Sequence, residues 1–99
     1  MSSELEEFLR SHTELVLVNL WDDNCEASRY MEGLMGEIEH AKRIPVLRLH
    51  LAEHRDWAGA HGVYGTPALV VYYRGRPLFR LLGRVTPAEL LQRFLDFGL

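Results

Sequence analysis

The sequence has little cysteine, which excludes one common way of stabilising a small protein. Cys25 is the only cysteine among 99 residues. A single cysteine cannot form a disulfide bond within its own chain, so an apolar core has to hold the fold together. Because disulfide-rich frameworks are typical of secreted proteins, the scarcity also favours a reducing, cytoplasmic location.

Long hydrophobic runs are missing as well. The longest run, Ala68 to Tyr73, is far shorter than the roughly 20 apolar residues that a helix needs to span a bilayer. Residues 1–7 are mostly acidic or polar and lack the continuous apolar segment of a secretory signal. We therefore expect neither a secretory leader nor a membrane partner.

Positive charge is not in excess. The chain has 11 Lys and Arg against 14 Asp and Glu, which gives a net charge of −3 at pH 7. Nucleic-acid binding depends on clustered Lys and Arg that release counterions, so we expect no nucleic-acid partner. The chain is 47% apolar and 25% charged, without linkers, repeats or biased segments, and this composition predicts one globular domain over residues 1–99.

The patterns that are present alternate between helix and strand. Leu15 to Leu20 is short and almost uninterruptedly apolar, which is typical of a central strand covered on both faces. Ser3 with Glu6 three residues later forms a capping box for a first helix. Helical spacing of apolar residues predicts a long helix from Cys25 to about Lys42. The remaining predicted elements are a strand over 44–51, a short helix over 53–61, strands over 68–73 and 78–82, and a last helix opened by Thr86 and Pro87.

Two connections define the fold class. The first strand, the long helix and the second strand form a parallel crossover. Arg74 to Pro77 instead has the composition of a tight turn between antiparallel strands. We therefore predict an α/β fold with a four-stranded mixed sheet and helices on both faces. Gly33 and Gly36 lie inside the long helix and predict a bend or close backbone packing there.

Several residues near the predicted strand ends together point to a protein family more specifically than any one of them does. The first buried strand ends in Trp21, and Cys25 starts the long helix four residues later. Gly65-Thr66-Pro67 precedes the third strand, and Gly83 ends the strand after the hairpin. In this order and spacing the chain resembles the thioredoxin family over about residues 14–97.

The resemblance implies a thioredoxin-like fold, a reactive Cys25 and a cis peptide bond before Pro67. It also implies a groove in which the backbone of Thr66 pairs with an extended segment of a partner. The residues that would contact the substrate are Trp21, Asn24, Tyr64, Thr66, Pro67 and Gly83.

The chain departs from the family at the residues that carry dithiol chemistry. The family's Cys-x-x-Cys motif is Cys25-Glu26-Ala27-Ser28 here, and Asn19 stands at the position of the family's buried acid. A dithiol enzyme resolves a mixed disulfide with its second sulfur. Because the Ser28 hydroxyl stays protonated and cannot do so, we expect no intramolecular resolution and no dithiol reductase activity.

Cys25 and Ser28 are the predicted catalytic residues. At a helix N-terminus the Cys25 thiolate faces free N–H groups and the positive end of the helix dipole, and the Ser28 hydroxyl is placed to donate a hydrogen bond to it. Asp22, Asp23 and Glu26 oppose the thiolate. We therefore predict that the pKa of Cys25 lies modestly below the free-cysteine value of about 8.5.

Plainer interpretations of these residues stay open at this point. Cys25 could be a small buried core residue, and Ser28 an ordinary surface serine of the helix. The acidic loop before Cys25 is explained by turn formation and capping. Trp21 packs in a core whether or not it borders a groove. The bond before Pro67 could be a trans bond that starts a strand.

The other polar residues predict no metal site and no cofactor. His50 and His54 are the most closely spaced of the five histidines, but the spacing places them at a strand end and a helix start rather than on one helix face. Arg48 is either a charge near the active site or the partner of a nearby acid.

Three functions are compatible with these residues. The first is a monothiol protein in which Cys25 forms mixed disulfides with glutathione or a protein thiol. The second is a redox-inactive module that binds a partner protein, or a second copy in a homodimer, through the groove at Pro67. The third is a disulfide between the Cys25 residues of two chains.

Overall fold

The structure is a computed structural model that describes residues 3–23 and 25–99, with Ser3 described by its backbone alone. The elements in chain order are α1 (Ser3–Ser11), β1 (Leu15–Trp21), α2 (Glu26–Lys42), β2 (Val46–His50), a 3₁₀ turn (Leu51–Glu53), α3 (Arg55–Ala60), β3 (Ala68–Tyr73), β4 (Arg76–Leu82) and α4 (Pro87–Asp96). The capping role predicted for the Ser3 side chain lies outside the described part of the chain.

The four strands form one sheet in the order β2-β1-β3-β4. β1 pairs in parallel with β2, with Leu17 opposite Val46. β1 pairs antiparallel with β3, and β3 and β4 form an antiparallel hairpin. β1 is therefore an inner strand, which explains why the five residues between its two end residues are all buried.

Each face of the sheet carries its own apolar core. On one face, Val16, Val18 and Leu20 of β1 pack with residues of α1 and α3. On the other face, Leu17 packs with Met31 and other residues of α2 and α4. The predicted α/β class, with a mixed four-stranded sheet and helices on both faces, is confirmed.

Most predicted element boundaries agree with the structure, and the differences have local causes. β3 spans the predicted residues. β2 is shorter than the predicted 44–51 because Pro45 has no N–H group for a sheet hydrogen bond and Leu51 begins the 3₁₀ turn. The helix predicted over 53–61 is divided between that turn and α3.

Glycine is required at the hairpin turn rather than inside α2. Of the two alternatives predicted at Gly33 and Gly36, a bend or close packing, close packing is wrong, because a Cβ atom at either position would have no heavy atom within 4 Å outside the helix's own backbone. Arg74 and Gly75 have φ values of 56° and 78° and form the turn between β3 and β4. β4 consequently starts at Arg76, earlier than the predicted strand over 78–82.

The predicted start of the last helix is confirmed. The Thr86 side chain accepts a hydrogen bond from the N–H of Glu89, and the Glu89 carboxylate accepts one from the N–H of Thr86. Pro87 occupies the first turn, where its missing N–H costs nothing. Among the described residues, no helix is both long and apolar enough to cross a membrane.

Candidate functional site

Cys25 lies at the N-terminus of α2, in the loop that follows β1. It is the N-cap residue of this helix of 17 residues and has an extended backbone. Its side chain is half-buried and belongs to neither apolar core. The interpretation of Cys25 as a core residue is therefore wrong, and its sulfur faces the positive end of the helix dipole.

The segment before β3 lies against this cysteine. The Thr66–Pro67 peptide bond is cis. The Thr66 Oγ1 atom is 3.9 Å from the Cys25 Sγ atom and donates a hydrogen bond to it. On the other side, the N–H of Gly83 donates to the carbonyl oxygen of Pro67 at 2.8 Å. The start of β3 and the end of β4 are thus brought next to Cys25.

Ser28 is a buried neighbour of Cys25 rather than a surface serine. Its side chain belongs to a residue only 4% exposed, and its Oγ atom accepts a hydrogen bond from the N–H of Asp22 at 3.3 Å. That bond leaves the Ser28 hydroxyl proton available for a second partner. The alternative of an ordinary helix-surface serine is therefore wrong.

Ser28 is also the main reason why the pKa of the Cys25 thiol is lowered from its ordinary value. The largest cause is the Ser28 hydroxyl, followed by the Ser28 backbone N–H, with smaller contributions from the Thr66 hydroxyl and the Ala27 N–H, while burial acts in the opposite direction. The Cys25 side chain makes no fully formed capping hydrogen bond to the helix. Ser28 therefore stabilises the thiolate, and the lowered pKa of Cys25 has the direction expected from the sequence.

An acidic cluster flanks Cys25 on the β2 side of the sheet. His50 Nε2 lies 3.1 Å from a carboxylate oxygen of Asp23 and 3.4 Å from one of Asp22. The His50 ring packs on Trp21 with 4.4 Å between ring centroids. The N–H of Asp23 donates to the Asp22 carboxylate, so Asp22 has the turn-forming role expected from the sequence.

Among the described residues, the same cluster is the group of side chains whose arrangement most resembles a metal site. One donor atom from each of Asp22, Asp23 and His50 lies within 4.8 Å of the others. His54 is not part of this group, since its Nδ1 atom contacts the carbonyl oxygen of His50 at 3.2 Å. Exposed carboxylates beside a histidine are common without a metal, and the contacts of His50 with Asp22 and Asp23 account for the cluster.

Asn19 is buried at the centre of the sheet, where the family has an acid. It is 0% exposed and lies on the α2 face of β1, like Leu17. Within the described residues, neither its amide oxygen nor its amide nitrogen has a hydrogen-bond partner. An amide cannot accept or release a proton at neutral pH, so this position does not provide the proton transfer of a buried carboxyl group.

Arg48 is the partner of acids on α2 rather than a free charge. Its guanidinium group donates to Glu32 at 2.8 Å and to Glu39 at 2.9 Å. The Arg48 guanidinium is the main reason why the pKa of the Glu39 carboxyl is lowered. The second of the two interpretations made from the sequence is therefore correct.

The remaining predicted contact residues differ in exposure, and the Tyr64 hydroxyl donates to the carbonyl oxygen of Gly59. Trp21 is half-buried and Tyr64 is 80% exposed. Gly83 has a φ of 85°, a conformation that glycine adopts without strain. Asn24 lies outside the described residues.

Sequence reasoning missed two residues at the far side of this region. The Tyr30 hydroxyl donates to the carbonyl oxygen of Val85 at 3.0 Å, which ties α2 to the segment after Gly83. The Arg84 guanidinium stacks on the Tyr30 ring at 4.5 Å. The only signal in the sequence was a basic residue directly after Gly83.

The fold and this site together define a class of protein. A mixed four-stranded sheet with helices on both faces carries one cysteine at a helix N-terminus, beside a cis-proline turn. This arrangement is a thioredoxin fold with a single thiol.

Comparisons with known proteins agree with this class. A model of the family described as Thioredoxin matches residues 1–96. The chain is 30% identical over 83 residues to a thioredoxin of Alicyclobacillus acidocaldarius subsp. acidocaldarius, covering 82% of this chain and 79% of the relative. It is 26% identical over 87 residues to a thioredoxin of Buchnera aphidicola subsp. Schizaphis graminum (strain Sg), covering 86% and 80%.

Solved structures show the same fold at lower identity. A mutant thioredoxin from Halobacterium salinarum NRC-1 superposes with a TM-score of 0.83 at 21% identity, over 96% of this chain and 83% of that one. A chain from a structure on the thiol resolving mechanism in yeast mitochondrial 1-Cys peroxiredoxin via glutathione/thioredoxin systems gives a TM-score of 0.78 at 18% identity, over 95% and 88%. The chain therefore belongs to the thioredoxin family, as a thioredoxin-like protein with a single cysteine.

Proposed function

We propose that the protein forms mixed disulfides with glutathione or with protein thiols through Cys25 and does not resolve them within its own chain. One observation carries this proposal. The only cysteine is half-buried at a helix N-terminus, in hydrogen-bond contact with Thr66, where a partner segment can reach it.

The chemical step is a thiol–disulfide exchange. The Cys25 thiolate attacks one sulfur of a partner disulfide, a Cys25–S–S–partner bond forms, and the other sulfur leaves as a thiolate. In a dithiol protein a second cysteine would then attack Cys25, but Ser28 holds that position. An outside thiol such as glutathione has to attack the mixed disulfide, and it is this thiol that is oxidised.

The neighbouring residues take separate parts in the proposed reaction. Ser28 stabilises the Cys25 thiolate, and the backbone of Thr66 at Pro67 pairs with the partner segment. Trp21, Asn24, Tyr64 and Gly83 border the groove. In this proposal the residues at the start of α2 carry out the exchange, and the residues before β3 bind the partner segment. A reducing, cytoplasmic compartment would supply glutathione and keep Cys25 reduced.

The test is the glutathione-dependent release of a glutathionylated peptide. We expect the wild-type protein to accelerate the release and Cys25→Ser to abolish the acceleration, whereas Ser11→Ala, an exposed change in α1, keeps it. Equal rates for the wild type and Cys25→Ser would contradict the proposal. Reduction of insulin with dithiothreitol should not be accelerated by either protein.

A second function is favoured by Asn19 and by the acidic loop. The missing buried carboxyl and the carboxylates of Asp22 and Asp23 fit a module that binds a partner protein through the groove at Pro67 without chemistry. The same assay separates the two functions. Binding of a partner that is unchanged in Cys25→Ser, together with no acceleration of peptide release, would favour the binding module.

A further inference from the structure

The arginines in the last third of the chain are arranged unlike those in the rest. Residues 74–93 contain five arginines and a single acid, Glu89. Three of these arginines stack on aromatic rings: Arg84 on Tyr30 at 4.5 Å, Arg93 on Phe79 at 4.9 Å and Arg74 on Tyr73 at 5.3 Å. Within the described residues, no arginine of this segment forms a salt bridge, whereas Arg48 forms two.

Arg84 is the arginine of this group that borders the site. It directly follows Gly83, whose N–H donates to Pro67 at 2.8 Å, and Thr66 contacts the Cys25 sulfur. The hydrogen bond from Tyr30 to Val85 fixes the chain on the other side of Arg84. Arg84 is therefore held at the β4 edge of the groove that begins at Cys25.

Stacking on Tyr30 leaves the Arg84 guanidinium able to bind a further group. The guanidinium carbon lies over the Tyr30 ring, and a guanidinium that stacks on a ring keeps the N–H donors in its own plane free for another group. Such a fork of donors matches the two oxygens of a carboxylate. Arg84 is exposed, so a carboxylate can reach it from solvent.

The opposite side of Cys25 has the opposite charge. Asp22 and Asp23 face this side, and in the described residues His50 is the one basic side chain within 4 Å of their carboxylates. A partner segment in the groove thus meets a negative flank towards β2 and a positive residue towards β4. Charge complementarity favours a carboxylate on the Arg84 side and disfavours one on the Asp23 side.

We propose that Arg84 is a specificity-determining residue that binds an Asp or Glu side chain close to the partner's reactive cysteine. The inference rests on the proposed function and names its substrate class: extended protein segments with a carboxylate on the side of the cysteine that faces β4. Arg84 acts on docking and takes no part in the exchange of sulfur bonds.

The experiment measures how fast Cys25 reacts with short peptides that carry a mixed disulfide to thionitrobenzoate. Attack of the Cys25 thiolate on the peptide sulfur breaks the S–S bond and releases the coloured thionitrobenzoate thiolate. The peptides have Asp before the cysteine, Asp after it, or Asn at both positions. We expect one of the two Asp peptides to react roughly three- to tenfold faster than the Asn peptide with the wild-type protein.

Three variants test the role of Arg84 itself. Arg84→Gln should remove the preference, so that the Asp and Asn peptides react at equal rates, and Arg84→Glu should reverse the preference. Arg76→Gln is the matched control, because it removes the same charge at the other end of β4 and should keep the preference. Added salt should weaken the preference in the wild type and in Arg76→Gln, the two proteins that keep Arg84.

The outcomes separate this inference from the function beneath it. A preference that survives in Arg84→Gln, or one that Arg76→Gln removes equally, would overturn the role of Arg84. Equal reaction of all peptides with the wild type would also overturn it, while leaving the monothiol function intact. No reaction with any peptide would overturn the proposed function and this inference together.

Discussion

Ser28 has two contacts at the scale of single residues, and they explain why a serine suits a position that the family gives to cysteine. Its oxygen accepts the N–H of Asp22, and its hydroxyl lowers the pKa of Cys25. The first contact fixes the loop before Cys25, and the second makes the remaining sulfur more acidic. Serine thus keeps the support for the Cys25 thiolate but cannot attack a mixed disulfide formed on Cys25.

The contribution of Ser28 can be measured from the pH dependence of alkylation. Because the folded protein lowers the pKa of Cys25, iodoacetamide should react at a lower pH with the folded protein than with the urea-unfolded chain. Ser28→Ala should move the midpoint of the folded protein upward, whereas Ser11→Ala should leave it unchanged. A midpoint for Ser28→Ala equal to that of the wild type would contradict this role.

Asn19, unlike Ser28, is buried without a hydrogen-bond partner among the described residues. Such a position favours an uncharged side chain over a carboxylate. Asn19→Asp restores the family's acid in an environment that offers it no hydrogen bond among the described residues. Burial should raise the pKa of the new carboxyl above its unfolded value, so the variant should be close to wild type in stability at low pH. As the pH rises through the unfolded pKa, the variant should lose stability, reaching roughly 2 kcal/mol at pH 7.

Urea denaturation of Asn19→Asp and the wild type at a series of pH values tests this expectation. The difference between the two proteins should grow with pH and then level off. A difference that is constant with pH would mean that the carboxyl finds a partner in the folded state.

At the scale of secondary structure, the residues of the site lie at the ends of helices and strands. β1 delivers Trp21 and the acidic loop, α2 begins directly after Cys25, and Pro67 precedes β3. The end of β4 closes the group at Gly83. Four separate chain segments therefore meet at one end of the sheet, and the fold rather than any local motif brings them together around Cys25.

Two glycines in these elements should respond in opposite ways to the same substitution. Gly33→Ala should stabilise the protein by roughly 0.5–1 kcal/mol, because the position is helical and a Cβ there meets open space. Gly75→Ala should destabilise it by more than about 1 kcal/mol, since its φ is 78° and a Cβ would lie 3.3 Å from the Arg10 backbone.

Thermal or urea unfolding of both glycine variants checks this pair. Each variant serves as the control for the other, because the added methyl group is the same. Stabilisation by Gly75→Ala, or destabilisation by Gly33→Ala, would show that the backbone at these positions differs from the one described.

At the scale of the whole molecule, the sequence predicts the architecture better than it predicts the side-chain partners. Ala68 to Tyr73 is an unbroken apolar run between Pro67 and a turn, and β3 has these bounds. The contacts of Arg48 with Glu39 and of Arg84 with Tyr30 depend instead on how α2 is rotated against the sheet. Residue spacing along the chain does not specify that rotation. The sequence therefore offered a nearby acid as one interpretation of Arg48 without naming Glu39, and it did not predict the contact of Arg84.

Some features of the candidate site were likewise predictable from the sequence, and others were not. The position of Cys25 at a helix start and its proximity to Thr66 follow from the resemblance to the thioredoxin family. Three features required the structure: the burial of Ser28, the contact of His50 with the acidic loop, and the lack of a partner for Asn19 among the described residues. Each of these depends on packing between segments that are distant in sequence.

Intact-protein mass spectrometry after incubation with glutathione disulfide tests the central claim most directly. Our account predicts a single glutathione adduct on Cys25, absent in Cys25→Ser, that persists after excess reagent is removed and disappears when reduced glutathione is added. A wild-type protein that forms no adduct, or that releases glutathione from the adduct without any outside thiol, would contradict the account.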